Sequence, residues 1–422
     1  MTGQAVSERL QVWRSGQIIG ELWLAADGRS MGFSYSAPPP AVAISNSLPL
    51  AESPFSAEAG QAHNWFANLL PEEGARQALL RRLGVADEDF ALLAAIGGDC
   101  AGALSLLPSG QSPQGGEGMR PVSAAELASW AEGRERFALF EPGRNGETRL
   151  SLAGAQDKIP LLILGNDLFL PQGDTPSSHL IKFAANPALV LNELYMNRLA
   201  KAAGLLVPES HAGRAGKALY LAVSRYDRRR DAAGKLHRLH QEDFCQALGL
   251  PRRLKYQEDG GPNLGACAAL LRRVTRSPAL QVRQLLRWQL FNVLAGNCDG
   301  HAKNLSLLQD ERGDWSLAPI YDLLCTLVLP YSPNLGFAVG GNYHPQELRR
   351  KDWEAFARDM GLTLPFVQRE LVDMAERLAS LAQSEALRQA MMEAGMRENE
   401  WAKVQHVRKL VVQQCKRAKQ WL

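Results

Sequence analysis

The chain has 422 residues, beyond the size at which a single hydrophobic core usually stops growing, so two or three domains are expected. Its 46% apolar and 22% charged content excludes wholesale disorder, and a formal net charge of +3 is too small to argue for nucleic-acid binding by bulk charge. No stretch approaches the roughly 20 apolar residues of a membrane span, and no basic segment followed by a long apolar run opens the chain, which points to the cytoplasm.

Residues 10–13 and 18–24 flank Ser15-Gly16 and read as a hairpin, and residues 31–35 alternate like a further strand. Residues 37–41, with three consecutive prolines, form a rigid connector. Helices are expected over 62–70, where Pro71 ends the pattern, over 74–83, closed by Gly84, and from Asp87 through Ile96. The glycine-rich stretch 97–103 leads into a strand at 104–107. With no basic residue near it in sequence, it reads as a tight helix-to-strand turn rather than a phosphate cradle. Residues 109–118, rich in Gly, Ser, Pro and Gln, are the clearest linker, and 141–147 are a second flexible stretch. A short helix is expected between them, at 124–133.

Two strand-like pieces within 149–164 then flank the small-residue turn Ala153-Gly154-Ala155, whose backbone N–H groups could approach phosphate oxygens. The pattern is neither GxGxxG nor GxxxxGK[ST]. Next, residues 178–183 form an apolar strand carrying Lys182. A lysine there suits the upper lobe of a kinase, or equally an edge strand protected against aggregation. The helix 192–204 carries Glu193, which could pair with Lys182 or sit solvated in the first turn. A buried-type strand, 218–223, runs into Ser224-Arg225-Tyr226-Asp227, a possible hinge whose backbone could read an adenine while Asp227 meets a ribose. The basic clusters Arg228-Arg229-Arg230, Arg252-Arg253-Leu254-Lys255 and Arg272-Arg273 read as solvated helix faces and turn edges. From Gln241 onward the pattern is almost wholly helical, apart from one hairpin and a loop at 336–345. The six cysteines are scattered, without CxxC pairs or histidines at metal-site spacing, and read as packed thiols in a reducing compartment.

The chemistry concentrates after the helix at 282–295. There the loop Gly296-Asn297-Cys298-Asp299-Gly300-His301-Ala302-Lys303-Asn304 precedes two strands, 305–308 and 315–320, and then Tyr321-Asp322. The order helix, polar loop, hairpin, acid lets Asp299, Asn304 and Asp322 converge. One carboxylate can take the proton of an attacking hydroxyl, while an amide oxygen and a second carboxylate hold magnesium against nucleotide phosphates. Asp299 and Asn304 stand five apart, the interval of the Asp and Asn in a protein-kinase catalytic loop, with the second metal carboxylate downstream. The plainer alternative is that Asn297, Asp299, Gly300 and Asn304 are turn formers.

Taken together, these segments resemble the HipA family of bacterial toxin kinases over nearly the whole chain. The sharpest matches are residues 151–158 (SLAGAQDK), 179–182 (HLIK), 225–229 (RYDRR), 240–247 (HQEDFCQA), 296–304 (GNCDGHAKN) and 319–322 (PIYD). The resemblance implies an α+β, two-lobed protein-kinase-like fold with an extra N-terminal β-rich and helical subdomain and a mostly helical C-lobe. The expected divisions are 1–110 for that subdomain, 111–147 for a linker region, 148–230 for the ATP-binding N-lobe and 231–422 for the C-lobe with the catalytic loop.

It implies that Leu152, Ala153, Gly154, Ala155, Gln156 and Asp157 form the loop over the ATP phosphates, with Lys182 as the phosphate lysine. Ser224, Arg225 and Tyr226 would form the hinge, with Asp227 beside the ribose. Asp299 would be catalytic, Asn304 and Asp322 the magnesium ligands, and His301, Ala302, Lys303 and Tyr321 would line the same pocket. Ser151 falls where family members phosphorylate themselves. The implied activity is ATP-dependent phosphorylation of a serine on an aminoacyl-tRNA synthetase, stalling translation. The implied partner is a HipB-like DNA-binding antitoxin, with operator DNA contacted through that complex. Ser224 replaces an acid common at the hinge, and Asp157 a glutamate common in the loop; both leave the backbone contacts intact. A metal-dependent phosphoesterase using Asp299, His301, Asn304 and Asp322 is a rival reading, but it has no use for Lys182 or a hinge. A DNA-bound corepressor with a structural kinase lobe is the rival from another class.

Overall fold

The computed structural model describes residues 8–113, 117–132, 158–184 and 186–421. The expected phosphate loop at 152–157 and Ser151 lie outside the described residues. The chain forms two compact units, each discontinuous in sequence. The first comprises Met1–Ile181, Arg225–Arg252 and Leu308–Gly313, and the second Lys182–Ser224, Arg253–Leu307 and Asp314–Leu422.

In the first unit, β1 (Arg9–Arg14), β2 (Gln17–Leu24) and β3 (Met31–Tyr35) precede three helices, α1 (Gln61–Ala67), α2 (Glu73–Leu83) and α3 (Asp89–Ile96), and then β4 (Leu104–Pro108). The sheet order is β3-β2-β1-β4, with antiparallel neighbours. Alternation along the strands puts Leu10, Val12, Leu22, Met31, Phe33, Leu104 and Leu106 into one core with Trp65 and Phe66 of α1 and Leu92, Leu93 and Ile96 of α3. Phe33 anchors it, its ring 5.3 Å from Phe66 and 4.9 Å from Tyr35.

Next come β5 (Glu117–Pro121), α4 (Ala124–Ala131), β6 (Lys158–Leu164), β7 (Asp167–Gly173) and β8 (His179–Phe183), with order β5-β7-β6 in the first unit. The end of the expected linker at 109–118 is thus strand: Gly118 pairs with Gln172, and its N–H donates to Thr175 Oγ1 at 3.0 Å. Polar, glycine-containing composition is what an exposed edge strand also carries. The chain crosses to the second unit within β8, between Ile181 and Lys182.

The second unit opens with α5 (Pro187–Ala202), started by Asn186, whose side chain accepts the Ala188 N–H, and by Pro187 in the first turn. The antiparallel pair β9 (Ser210–Ala215) and β10 (Ala218–Ser224) packs on α5. The chain then returns to the first unit for β11 (Arg228–Arg230), β12 (Leu236–Arg238), β13 (His240–Asp243) and α6 (Phe244–Ala247). Back in the second unit are α7 (Leu264–Val274) and α8 (Pro278–Ala295). After the hairpin β14 (Ser306–Gln309) and β15 (Trp315–Leu317) come α9 (Arg350–Asp359), α10 (Leu364–Leu381), α11 (Glu385–Glu393) and α12 (Gln405–Ala418). Helix α8 is the hub, packed on α7, α10 and α12, with Leu285, Leu286, Trp288, Leu290 and Phe291 fully buried. All six cysteines are buried free thiols, and among the described residues no helix is long and apolar enough to cross a membrane.

Helix α1 and strand β13 of the first unit meet at a buried acid. The Trp65 indole N–H donates to Glu242 Oε2 at 2.9 Å, and the Asn46 N–H to Oε1 at 3.5 Å. Burial raises the Glu242 carboxyl to about 7, outweighing those donors. Its neighbour His240 is lowered by burial to about 3, so the neutral ring donates from Nε2 to the Ile44 carbonyl at 2.7 Å. Because Glu242 titrates higher folded than unfolded, the native state binds the extra proton, and stability falls as pH rises from about 4.5 to about 7. Glu242→Gln removes that fall. Thermal unfolding should show the variant more stable than the parent at pH 8, with the gain shrinking at pH 5; a gain independent of pH would contradict the burial argument.

Candidate active site around Lys182

Of the candidate residues that the structure describes, the second unit gathers most. The Lys182 ammonium lies 2.6 Å from Glu193 Oε1 on α5 and 2.6 Å from Asp322 Oδ1 after the β14–β15 hairpin. Lys182 and Glu193 side chains are 8% and 7% exposed, whereas Asp322 is 42% exposed. The two alternatives left open by sequence are thereby decided: Lys182 is not a solvated edge residue, and Glu193 is not a solvated helix acid. Burial favours loss of the Lys182 proton, but the two carboxylates outweigh it and raise its pKa above the usual lysine value. That contribution is fully present below the unfolded lysine value and is lost only as pH rises through the higher folded one, so the ammonium persists at neutral pH.

The acid is held in place by its surroundings. Asn192, the residue before Glu193, clamps the chain just past Asp322. Its Nδ2 donates to the Cys325 carbonyl and its Oδ1 accepts the Cys325 N–H, both at 3.0 Å. One turn of α5 thus supplies the carboxylate for Lys182 and the amide that binds Cys325, three residues after Asp322. Asp322 itself has φ 59°, in the left-handed region where a residue with a side chain is uncommon. Such backbone strain is held by surrounding bonds and clusters at functional sites.

Asn304 meets the same carboxylate, its Nδ2 lying 3.4 Å from Asp322 Oδ2. Its Oδ1 accepts the His301 N–H at 3.1 Å and keeps a second lone pair. Tyr321 braces the loop: its hydroxyl donates to the Lys303 carbonyl at 2.7 Å and lies 2.7 Å from Ser306 Oγ. His301, Ala302, Lys303 and Asn304 are all buried. The loop leaves α8 through Gly296 at φ 71°, a left-handed C-cap, and the Cys298 N–H donates to Thr326 Oγ1 at 2.8 Å. Asp299 is exposed, and its Oδ1 accepts the Tyr256 hydroxyl at 2.5 Å.

The hinge candidates divide at the unit boundary, Ser224 in the second unit and Arg225, Tyr226 and Asp227 in the first. Asp227, expected beside a ribose, is an enclosed carboxylate. Its side chain is 3% exposed and accepts from Arg225 Nε at 3.0 Å, Arg225 Nη2 at 2.8 Å and the Gly102 N–H at 2.7 Å. Asp99, in the glycine-rich turn before β4, closes the network by accepting from Arg228 Nη2 at 2.9 Å and Ser177 Oγ at 3.0 Å. Burial raises the Asp227 carboxyl, yet Arg225 and Arg228 outweigh it and hold it well below the usual range. Arg228, read as a solvated turn residue, is instead 1% exposed, and burial lowers it to about 10. Tyr226 donates its hydroxyl to Gln241 Oε1.

Sequence reasoning missed Tyr256 and Asn192. Neither stands in a recognisable catalytic pattern, and each acts on a residue far along the chain. The donor set suits one kind of ion. A carboxylate and an amide oxygen are hard ligands too few for an all-protein cage, as expected of magnesium completed by phosphate and water. Among the described residues no cluster of three or more His, Cys, Asp or Glu forms a metal site.

Removing one partner of the buried pair leaves the other charge uncompensated. Lys182→Met should therefore cost about 3–5 kcal/mol in denaturant unfolding. The double variant Lys182→Met/Glu193→Leu should be more stable than Lys182→Met alone. A double variant as unstable as the sum of the singles would show that the two side chains are not energetically coupled.

Two family models match the chain: the HipA-like C-terminal domain over residues 150–386 and the HipA N-terminal domain over residues 10–107. Protein Y4mE of Sinorhizobium fredii, which bears a provisional kinase name, is 39% identical over 383 residues, covering 88% of this chain and 90% of its own. The serine/threonine-protein kinase toxin HipA of Shewanella oneidensis is 30% identical over 371 residues, covering 85% and 84%. A solved complex of the Shewanella oneidensis MR-1 toxin–antitoxin system, with HipA, HipB and operator DNA, contains a chain that matches this one. That match has a TM-score of 0.83 and 27% identity over 97% of each chain. By sequence and by fold, the chain belongs to the HipA family of serine/threonine-kinase toxins.

Proposed function

We propose that the chain is an ATP-dependent serine/threonine protein kinase, the toxin of a toxin–antitoxin pair acting in the cytoplasm. The observation that carries this reading is the Lys182 ammonium shared between Glu193 and Asp322, with Asn304 against the same Asp322 carboxylate. A lysine so held is presented to nucleotide phosphates with its charge assured. Residues 148–230 carry the nucleotide lobe in this reading, and 231–422 the catalytic lobe.

Asp299 accepts the proton of the attacking serine hydroxyl, which its exposed carboxylate can reach. Asn304 and Asp322 would hold magnesium, which when bound neutralises charge on the transferred phosphoryl group. Lys182 orients the phosphates, and the backbone of Ser224, Arg225 and Tyr226 receives the adenine. His301, Ala302, Lys303 and Tyr321 shape the pocket wall. Leu152, Ala153, Gly154, Ala155, Gln156 and Asp157 cover the phosphates.

The family likeness supports a serine on an aminoacyl-tRNA synthetase as the target. The solved HipA–HipB–operator complex supports a HipB-like antitoxin and operator DNA as partners. Ser151 would be the site of self-phosphorylation. A phosphate there adds about −1.5 to −2 charge beside the ATP phosphates, so it switches the kinase off.

With labelled ATP and a cell lysate, the parent chain should label one dominant protein. Asp299→Asn should lower the transfer rate by at least about a thousandfold with an unchanged melting temperature. A variant at parental rate would remove Asp299 from the mechanism. Protein phosphorylated at Ser151 should bind an ATP analogue more weakly, and undiminished affinity would refute the off-switch.

A further inference from the structure

Tyr256 belongs to a polar stretch ahead of α7 that carries no helical or strand periodicity, yet hydrogen bonds tie it and both its neighbours into the second unit. The preceding Lys255 carbonyl accepts the Ala302 N–H of the catalytic loop at 3.0 Å. Tyr256's own carbonyl accepts the Gly261 N–H at 2.9 Å. The following Gln257 donates its N–H to the Gly336 carbonyl at 3.2 Å, and its Oε1 accepts the Ala338 N–H at 3.0 Å. The Gly336 N–H in turn donates to the Cys298 carbonyl at 2.8 Å, closing a ring of bonds back to the residue before Asp299. Gly336 leaves no room for a side chain, since a Cβ there would sit 2.3 Å from the Gly300 carbonyl oxygen.

From this frame the Tyr256 hydroxyl reaches Asp299 Oδ1 at 2.5 Å, and its ring meets His301 edge-on, centroids 4.8 Å apart at 87°. We propose that Tyr256 is a positioning residue for Asp299: its hydroxyl fixes one carboxylate oxygen so that the other faces the incoming serine hydroxyl. The proton passes to that second oxygen as the serine oxygen bonds to the γ-phosphorus and ADP departs. The frame is tied to the same loop that carries Asp299, so the phenol and the carboxylate are set relative to one another by the same bonds. This is what a supporting residue must do to hold a reacting group in register. The inference rests on the reading of Asp299 as the proton acceptor.

The test compares Tyr256→Phe, Asp299→Asn and the double variant in the full chain, following labelled phosphate transfer from ATP into the chain and a fixed lysate. Tyr256→Phe should lower the rate at saturating ATP about 10–100-fold, because small misplacements of a reacting group are that costly. Its KM for ATP should stay within about twofold and its melting temperature within a few degrees. In the Asp299→Asn background it should have no further effect. A Tyr256→Phe rate equal to or above the parent's, with Asp299→Asn inactive, would overturn the positioning role alone. A parallel rise in the KM for ATP would also overturn it, since the residue would then serve the nucleotide. Asp299→Asn at parental rate would instead remove the proton acceptor, and the positioning role with it.

Discussion

One buried ammonium sets the geometry of the second unit. Lys182 loses its water on folding and would be costly to bury without counter-charge, so two carboxylates must come to it from distant parts of the chain. Glu193 brings α5 against the end of β8. Asp322 brings the chain leaving the β14–β15 hairpin to the same point in a left-handed conformation, and Asn192 clamps Cys325 three residues further on. The burial of the inner pair and the exposure of Asp322 give the three residues different tasks. Glu193 holds the charge, and Asp322 offers a carboxylate outward.

The first unit uses the same chemistry to a different end. Arg225 and Arg228 also share buried carboxylates, those of Asp99 and Asp227. There every partner is enclosed, and the network ties Ser177 ahead of β8, the start of β11 and the turn before β4 together. Residue type alone does not separate the two cases. Exposure does: the Asp227 side chain is 3% exposed and that of Asp322 is 42% exposed.

Much of this was legible in the sequence because it is local. The strands at 10–13, 18–24 and 31–35, the helices of both units and the loop 296–304 each announce themselves by periodicity or by turn chemistry within a few residues. The five-residue interval from Asp299 to Asn304 is likewise a local signal. What stayed hidden depends on contacts between distant positions. Tyr256 acts on a residue 43 positions away, and Asn192 on one 133 positions away, with nothing in their own neighbourhoods to mark them. Asp227 and Arg228 looked like polar hinge and turn residues, and only the folded arrangement around Asp99 shows them enclosed. The strand β5 was concealed by linker-like composition, because an edge strand needs little apolar content to pair.

In the proposed reading Asp322 presents a carboxylate to a metal-bound nucleotide beside Lys182. Calorimetric titration of ATP into the parent chain and into Asp322→Asn, with and without magnesium, tests that most directly. Magnesium should tighten ATP binding to the parent, and this gain should be lost in Asp322→Asn. An equal gain in both proteins would contradict it.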